Sequence, residues 1–292
     1  MSRQPLFTGC ATAMITPFDE GGHLDLPALD RLIDMQLENG IDALVACGTT
    51  GEPAVMTDDE WSEIVRRTVR RVNGRVPVIA GTGSNSTAQV IRKASSAREL
   101  GADAQLVVTP FYNKTTQAGL IAHYRAIAAS VDLPIIIYNV PSRTGLNIQP
   151  GTLFDLMGDE KIIGLKEAAG DAARAADIAA LCGDGLPLYS GSDELTVQLR
   201  SIGSLGTISV LSNLLPAEMV RMTHLDLKEA AGIQLRLMPL IRLLFREVSP
   251  IPIKAAMSMT GLCKNILRLP LVPMSDENTA LLEKELRRLG IL

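Results

Sequence analysis

The stretch Lys161–Gly170, "KIIGLKEAAG", decides the fold. Ile162, Ile163 and Leu165 run together with only Gly164 between them, the pattern of a strand buried on both faces. Lys166 stands inside that run, and lysine is almost never fully buried without a reason. The same kind of run recurs along the chain. It is "TGCATAMI" from Thr8, "IDALVACG" from Ile41, "RVPVIAGTG" from Arg75, "AQLVVTP" from Ala104, "LPIIIYNV" from Leu133, "LPLYSGS" from Leu186 and "GTISV" from Gly206. Segments of helical period lie between them, including Leu26–Glu38, Asp58–Val72, Thr87–Leu100 and Gly119–Ala129. Thr57–Glu60, "TDDE", and Ser86–Gln89, "STAQ", both match a capping box that starts a helix.

Eight strands, apolar throughout and each followed by a helix, predict a parallel sheet covered by helices. About 25 residues per unit fits a closed eight-stranded βα (TIM) barrel better than an open sheet. The pattern changes at about Asp226, beyond which only helical periodicity remains. Leu235, Leu237, Leu240, Ile241, Leu244 and Phe245 mark one helix, "IPIKAAMSMTG" another, and Ser275 and Glu277 begin a last one that Gly290 ends. The expected organisation is an α/β barrel over residues 1–225 with a helical appendage over 226–292.

With 47% hydrophobic and 21% charged residues and a net charge of -4, nothing favours nucleic acid or an acidic membrane surface. The four cysteines are scattered, and none of the three histidines has metal-ligand spacing, so reduced thiols and no metal are expected. No apolar run approaches the roughly 20 residues of a membrane span, and the N-terminus has no clean signal region. The expectation is a cytoplasmic enzyme acting on a small molecule.

In such a barrel the chemistry sits at the C-terminal ends of the strands. Strand two ends in "GTTGE", Gly48–Glu52, two hydroxyls between glycines in a turn whose N–H groups suit a carboxylate or phosphate, although a plain turn with a helix cap would read the same way. Strand four ends near Tyr112, strand five at Tyr138 with Arg143 beyond it, and strand six at Lys166. Each alone has an ordinary explanation: a core tyrosine, a solvated arginine. Together they are more specific. A desolvated lysine amine is a nucleophile toward carbonyl carbon, tyrosines relay protons, and an arginine fork holds a carboxylate. The set points to a carbonyl acid that condenses through an imine. "GTGSNS", Gly81–Ser86, lacks dinucleotide-binding spacing, and Lys161 and Lys254 read as ordinary surface or helix-cap lysines.

"GTTGE", "TPFYN", "YNVPSRTG", "GLKEA" and "GSD", in this order, resemble the pyruvate-dependent class I lyases related to N-acetylneuraminate lyase, and among them most closely the dihydrodipicolinate synthase branch. The resemblance spans essentially the whole chain. It implies a covalent pyruvate imine on Lys166, with no other cofactor, and attack of its enamine on L-aspartate 4-semialdehyde. It further implies that Thr50 holds the pyruvate carboxylate, that Thr49, Tyr138 and Tyr112 relay protons, and that Arg143 grips the semialdehyde carboxylate. Gly191 and Ile208 would supply carbonyls near the lysine. The implied assembly is a homodimer or homotetramer in which Tyr112 reaches the neighbouring site. A sister activity, cleavage of sialic acid or of keto-deoxy sugar acids, uses the same imine, but Arg143 suits a short amino-acid carboxylate. A barrel that only binds a keto acid is the reading from another class, and the intact Lys, Tyr, Tyr and Arg set speaks against it.

Many relatives are inhibited by lysine at the dimer interface. The corresponding positions here are Pro53, Ala54, Asp58, Trp61, Asn85, Gln89 and Phe111. Gln89 replaces a glutamate, Phe111 lacks a tyrosine hydroxyl, and Trp61 puts bulk where a histidine is common, so the resemblance implies weak or absent lysine inhibition.

Overall fold

The computed structural model describes residues 4–292. Eight strands, β1 (Gly9–Ala13), β2 (Ala43–Ala46), β3 (Val78–Gly81), β4 (Ala104–Val108), β5 (Ile135–Asn139), β6 (Ile162–Glu167), β7 (Leu188–Ser190) and β8 (Gly206–Ser209), close into a barrel. Every neighbouring pair is parallel, including β8 with β1. The helices between them are α1 (Leu26–Glu38), α2 (Asp58–Val72), α3 (Thr87–Glu99), α4 (Gln117–Ser130), α5 (Pro141–Thr144), α6 (Pro150–Leu156), α7 (Ala172–Cys182), α8 (Thr196–Arg200) and α9 (Pro216–His224). The chain ends in α10 (Leu227–Leu244), α11 (Ile251–Met259) and α12 (Asp276–Arg288).

Both strand faces are buried, which is why the strands read as continuous apolar runs. Ala11, Val45, Ile79, Leu106, Ile136 and Ile208 fill the barrel, while Leu44, Val78, Val107, Ile137 and Leu165 pack outward on the helices. Phe7 closes the N-terminal end, its ring stacked on Tyr189 at 4.4 Å. Asp226 caps α10 by accepting from the N–H groups of Lys228 and Glu229, so the change of pattern at that residue coincides with a helix start. The C-terminal helices share one apolar cluster with the outer layer of the barrel, Leu237, Leu240, Met257 and Leu286 joining Ile33, Leu44 and Met219.

Two sequence expectations are corrected. The Thr57–Glu60 capping box forms, with both reciprocal hydrogen bonds, but the Ser86–Gln89 one does not. Ser86 makes no side-chain cap, and Gln89 Oε1 instead accepts from the Ser84 hydroxyl at 2.6 Å. The motif fails because a nearer hydroxyl competes for the same amide oxygen. Lys254 is not at the surface: its side chain is 0% exposed and ion-paired with Glu52. Lys161 does cap a helix, its Nζ donating to the carbonyls of Ala128 and Val131 at the end of α4.

Candidate active site

Lys166 reaches the interior because of one irregularity in β6. Ile135 pairs with Ile162 but Ile136 pairs with Gly164, which leaves Ile163 as an extra residue. Ile162 packs outward, so strict alternation would send Lys166 outward with it. The bulge shifts the parity. Lys166 then lies in register between two inward tyrosines, Tyr138 of β5 and Tyr189 of β7. Only 5% of Lys166 is exposed, and its Nζ stands 4.4 Å from the centroid of the Tyr138 ring. Burial lowers its pKa from the usual 10.5 to about 8, helped by the positive charge of Arg143 and opposed by Asp193. About a tenth of the amine is therefore free base at pH 7, against well under a thousandth for a lysine at its usual value.

Around this amine the structure gathers most of the residues singled out from sequence. Tyr138 is hydrogen-bonded to the Thr49 side chain, and burial pushes its phenol up to about 12, with Arg143 and the Thr49 bond pulling the other way. Gly191 follows β7 and leaves room for the lysine. A Cβ there would lie 3.0 Å from both Cγ and Cε of Lys166 and 2.7 Å from the Cβ of Ala168. Ile208 is buried in the interior cluster with Tyr138. Thr50 is buried in the 3₁₀ turn Thr49–Gly51, with Cys47 (φ +54°) two residues before it and Glu52 (φ +59°) directly after it, two non-glycine residues in the left-handed region. Such conformations cost roughly 1–3 kcal/mol each and persist where surrounding contacts impose them. Gly81 admits this turn, because a Cβ on it would strike the Cys47 carbonyl oxygen at 2.1 Å.

A cavity of about 630 Å³ opens over the strand ends, with Thr49, Tyr138 and Arg143 on its inner wall. Arg143 also donates to the carbonyl of Ser249, 3.0 Å away, just before α11. The outer wall carries Pro53, Ala54, Asn85, Gln89, Lys93 and Phe111. Two of the seven proposed effector positions do not reach it. Asp58 is exposed in the first turn of α2, and Trp61 is buried with its indole N–H donating to the Gly81 carbonyl at 3.1 Å. Tyr112 is 91% exposed at φ +65° and does not reach the Tyr138–Thr49 pair of its own chain. Among the described residues no group of three or more His, Cys, Asp or Glu is placed to hold a metal, and no helix is long and apolar enough to cross a membrane.

Three buried polar residues escaped the sequence reading. Asp193, in the "GSD" triplet, accepts from the N–H groups of Val210 and Leu211 at 3.1 and 2.9 Å and is also bonded by the Ser209 side chain. It is the negative charge that opposes the lowering of the Lys166 pKa. Glu167 faces away from the interior, accepting from Asn139 Nδ2 at 3.0 Å and from the Ala169 N–H at 2.7 Å. Together Glu167 and Asn139 tie the ends of β5 and β6 to each other beside the lysine. The quoted motifs contained all three, but polarity in a short strand end does not say which face it serves.

Residues 6–289 match the model of the dihydrodipicolinate synthetase family. The chain belongs to that family. It is 46% identical over 293 residues to the 4-hydroxy-tetrahydrodipicolinate synthase of a Thermoanaerobacter species, covering 99% of this chain and 98% of that one. It is 48% identical over 291 residues to the enzyme of the same name from Caldicellulosiruptor saccharolyticus, covering 98% of each. Among solved structures, the dihydrodipicolinate synthase from Thermotoga maritima superposes with a TM-score of 0.96 at 41% identity, covering 98% of this chain and 100% of that one. The family's fold is therefore retained from end to end.

Proposed function

We propose that this chain condenses pyruvate with L-aspartate 4-semialdehyde through an imine on Lys166, the 4-hydroxy-tetrahydrodipicolinate synthase reaction. The observation that carries the reading is the buried Lys166 amine, held against Tyr138 with its pKa lowered to about 8. The neutral amine attacks C2 of pyruvate, whose carboxylate rests on Thr50 and the N–H groups of the Gly48–Gly51 turn. The former carbonyl oxygen takes protons through Tyr138 and Thr49 and leaves as water. Loss of a C3 proton gives the enamine, which attacks the aldehyde carbon while the aldehyde oxygen is protonated. The amino group of the semialdehyde then displaces Lys166 from the imine carbon and closes the ring. The carbonyls of Gly191 and Ile208 border the lysine during these steps.

Incubation with pyruvate and borohydride tests the reading directly. A reduced pyruvate adduct on the Lys166 peptide, with turnover of the semialdehyde and none of N-acetylneuraminate, is expected; an unmodified peptide would sink every imine mechanism.

Arg143 lines the cavity close enough to Tyr138 to act on its phenol, and there it can grip the carboxylate of the semialdehyde. A charge-assisted bond of about 1.5–3 kcal/mol corresponds to roughly 10- to 150-fold in affinity. Arg143→Ala is accordingly expected to raise KM for the semialdehyde by that factor with little change in the pyruvate half-saturation of borohydride trapping.

Tyr112 suits a dimer, since it projects away from its own site in a strained backbone conformation. We assign it to the proton relay of a neighbouring copy. Reassembly of mixed Lys166→Ala and Tyr112→Phe subunits is expected to recover activity that neither variant has alone, because one of the two sites then receives both intact residues. Mixtures no more active than their components would remove Tyr112 from the partner's site.

The altered outer wall bears on regulation. Gln89 offers no charge to a ligand ammonium, and Lys93 on the same wall repels one. Loss of one charge-assisted bond costs one to two decades in affinity, so half-inhibition by lysine is expected only above about 1 mM. A dose–response curve with an inflection below that concentration would refute it.

A further inference from the structure

The turn that carries Thr49 and Thr50 is anchored from the far end of the chain. Glu52 follows it directly, in the left-handed conformation, and its N–H closes the turn on the Thr49 carbonyl at 3.1 Å. The Glu52 carboxylate is ion-paired with Lys254 of α11, the two side chains 1% and 0% exposed. Lys254 also donates to the Ile266 carbonyl at 2.9 Å and stands 4.2 Å from the centroid of the Phe18 ring. The N–H of Arg268 donates to the other Glu52 oxygen at 3.3 Å, while its guanidinium grips Glu60 and donates to the Val55 carbonyl at 2.9 Å. Both flanks of the segment after the turn are thereby tied to the C-terminal region.

A sealed ion pair is a poor source of stability, because desolvation offsets its attraction and apolar residues of similar volume often do as well. What a charge pair supplies is direction. Apolar packing could fill the space between the turn and α11, but it would not hold one carboxylate at one point and so would not fix the backbone of Glu52 in a conformation that non-glycine residues seldom adopt.

We propose that Lys254 and Glu52 are a positioning pair for substrate binding: by pinning Glu52 they hold the Thr49–Thr50 turn where it receives the carboxylate of the keto acid. Neither residue touches the reacting atoms. The proposal rests on the imine reading above, since it assigns that turn to the keto acid. It also gives the C-terminal helices a part in the site, which Arg143 shares through its bond to Ser249.

The test is the double variant Glu52→Gln/Lys254→Met, which removes both charges and leaves neither unpaired. Pyruvate half-saturation is read by borohydride trapping on Lys166, alongside steady-state kinetics and thermal melting. The expected result is a rise of about tenfold in the pyruvate half-saturation and a fall in kcat as Thr49 moves with the turn, with the KM for the semialdehyde within about twofold and a melting point close to that of the parent. A half-saturation within about twofold of the parent overturns the proposal and leaves the pair a packing feature. If the double variant does not fold, Lys254→Met alone carries the same two outcomes, because Glu52 then keeps the Arg268 N–H and the neighbouring Arg268 guanidinium as partners. Failure of the parent protein to trap pyruvate at all is a separate result, which overturns the imine reading and this proposal with it.

Discussion

Lys166→Ala is expected to lower kcat by about 10⁴-fold or more and to abolish the pyruvate adduct, while the melting temperature stays within about 5 °C of the parent. The loss is large because without this amine the covalent intermediate cannot form. Lys161, five residues earlier, spends its ammonium on the last carbonyls of α4, so Lys161→Ala should retain the adduct and nearly all activity. The pH dependence is a second readout. With a pKa of about 8, the neutral fraction of the Lys166 amine grows about tenfold per pH unit below that value and saturates above it, so the trapping rate should do the same. The stability effect has the opposite origin but the same direction. The folded-state pKa lies below the usual 10.5, so between about 8 and 10.5 the unfolded chain binds more protons and this group's contribution to stability rises with pH. Below about 8 its contribution is flat. Denaturant titrations of Lys166→Ala should lack that rise, and an unchanged slope would contradict the buried, shifted amine.

Tyr138→Phe is expected to lower kcat by about 10²–10⁴-fold with a much smaller change in the pyruvate half-saturation. The substitution keeps the ring that lies against the lysine and removes only the hydroxyl bonded to Thr49. Binding should survive because the carboxylate is assigned to the Thr50 turn, not to the phenol. Proton transfer should not, since water loss from the adduct needs a donor within reach in a buried site. Equal losses in kcat and in pyruvate affinity would instead make Tyr138 a binding residue. A Thr49→Val variant with an effect of similar size would place the two hydroxyls in one relay, because removing either link interrupts the same transfer.

The barrel could be read from the chain because its cause is local and repeated. Strands buried on two faces must be apolar throughout, and helices that cover them must show their own period, so "LPIIIYNV" and Asp58–Val72 announce β5 and α2 nearly to the residue. The candidate site was legible for a similar reason: polar residues at strand ends of this architecture converge on one rim, and Lys166, Tyr138, Thr49 and Arg143 do. Gln89 shows where such reasoning stops. The spacing from Ser86 is right for a capping box, but which hydroxyl the amide meets depends on the path of the chain before the helix, and Ser84 meets it first.

The sequence by itself determined the eight strands, the helices that cover them, the helical end from Asp226 onward and the identity of the lysine that stands in a buried run. Tertiary structure alone decided two matters. One is the face on which Lys166 lies: a single bulged residue, Ile163, changes the parity of β6, and a shift of one residue reverses every side chain after it. The other is the fate of Lys254, whose segment "IPIKAAM" reads as an ordinary helix with one charge. That charge meets Glu52 only after the last helices have folded back onto the mouth of the barrel, because an ion pair is a property of distance in space and leaves no period in the chain.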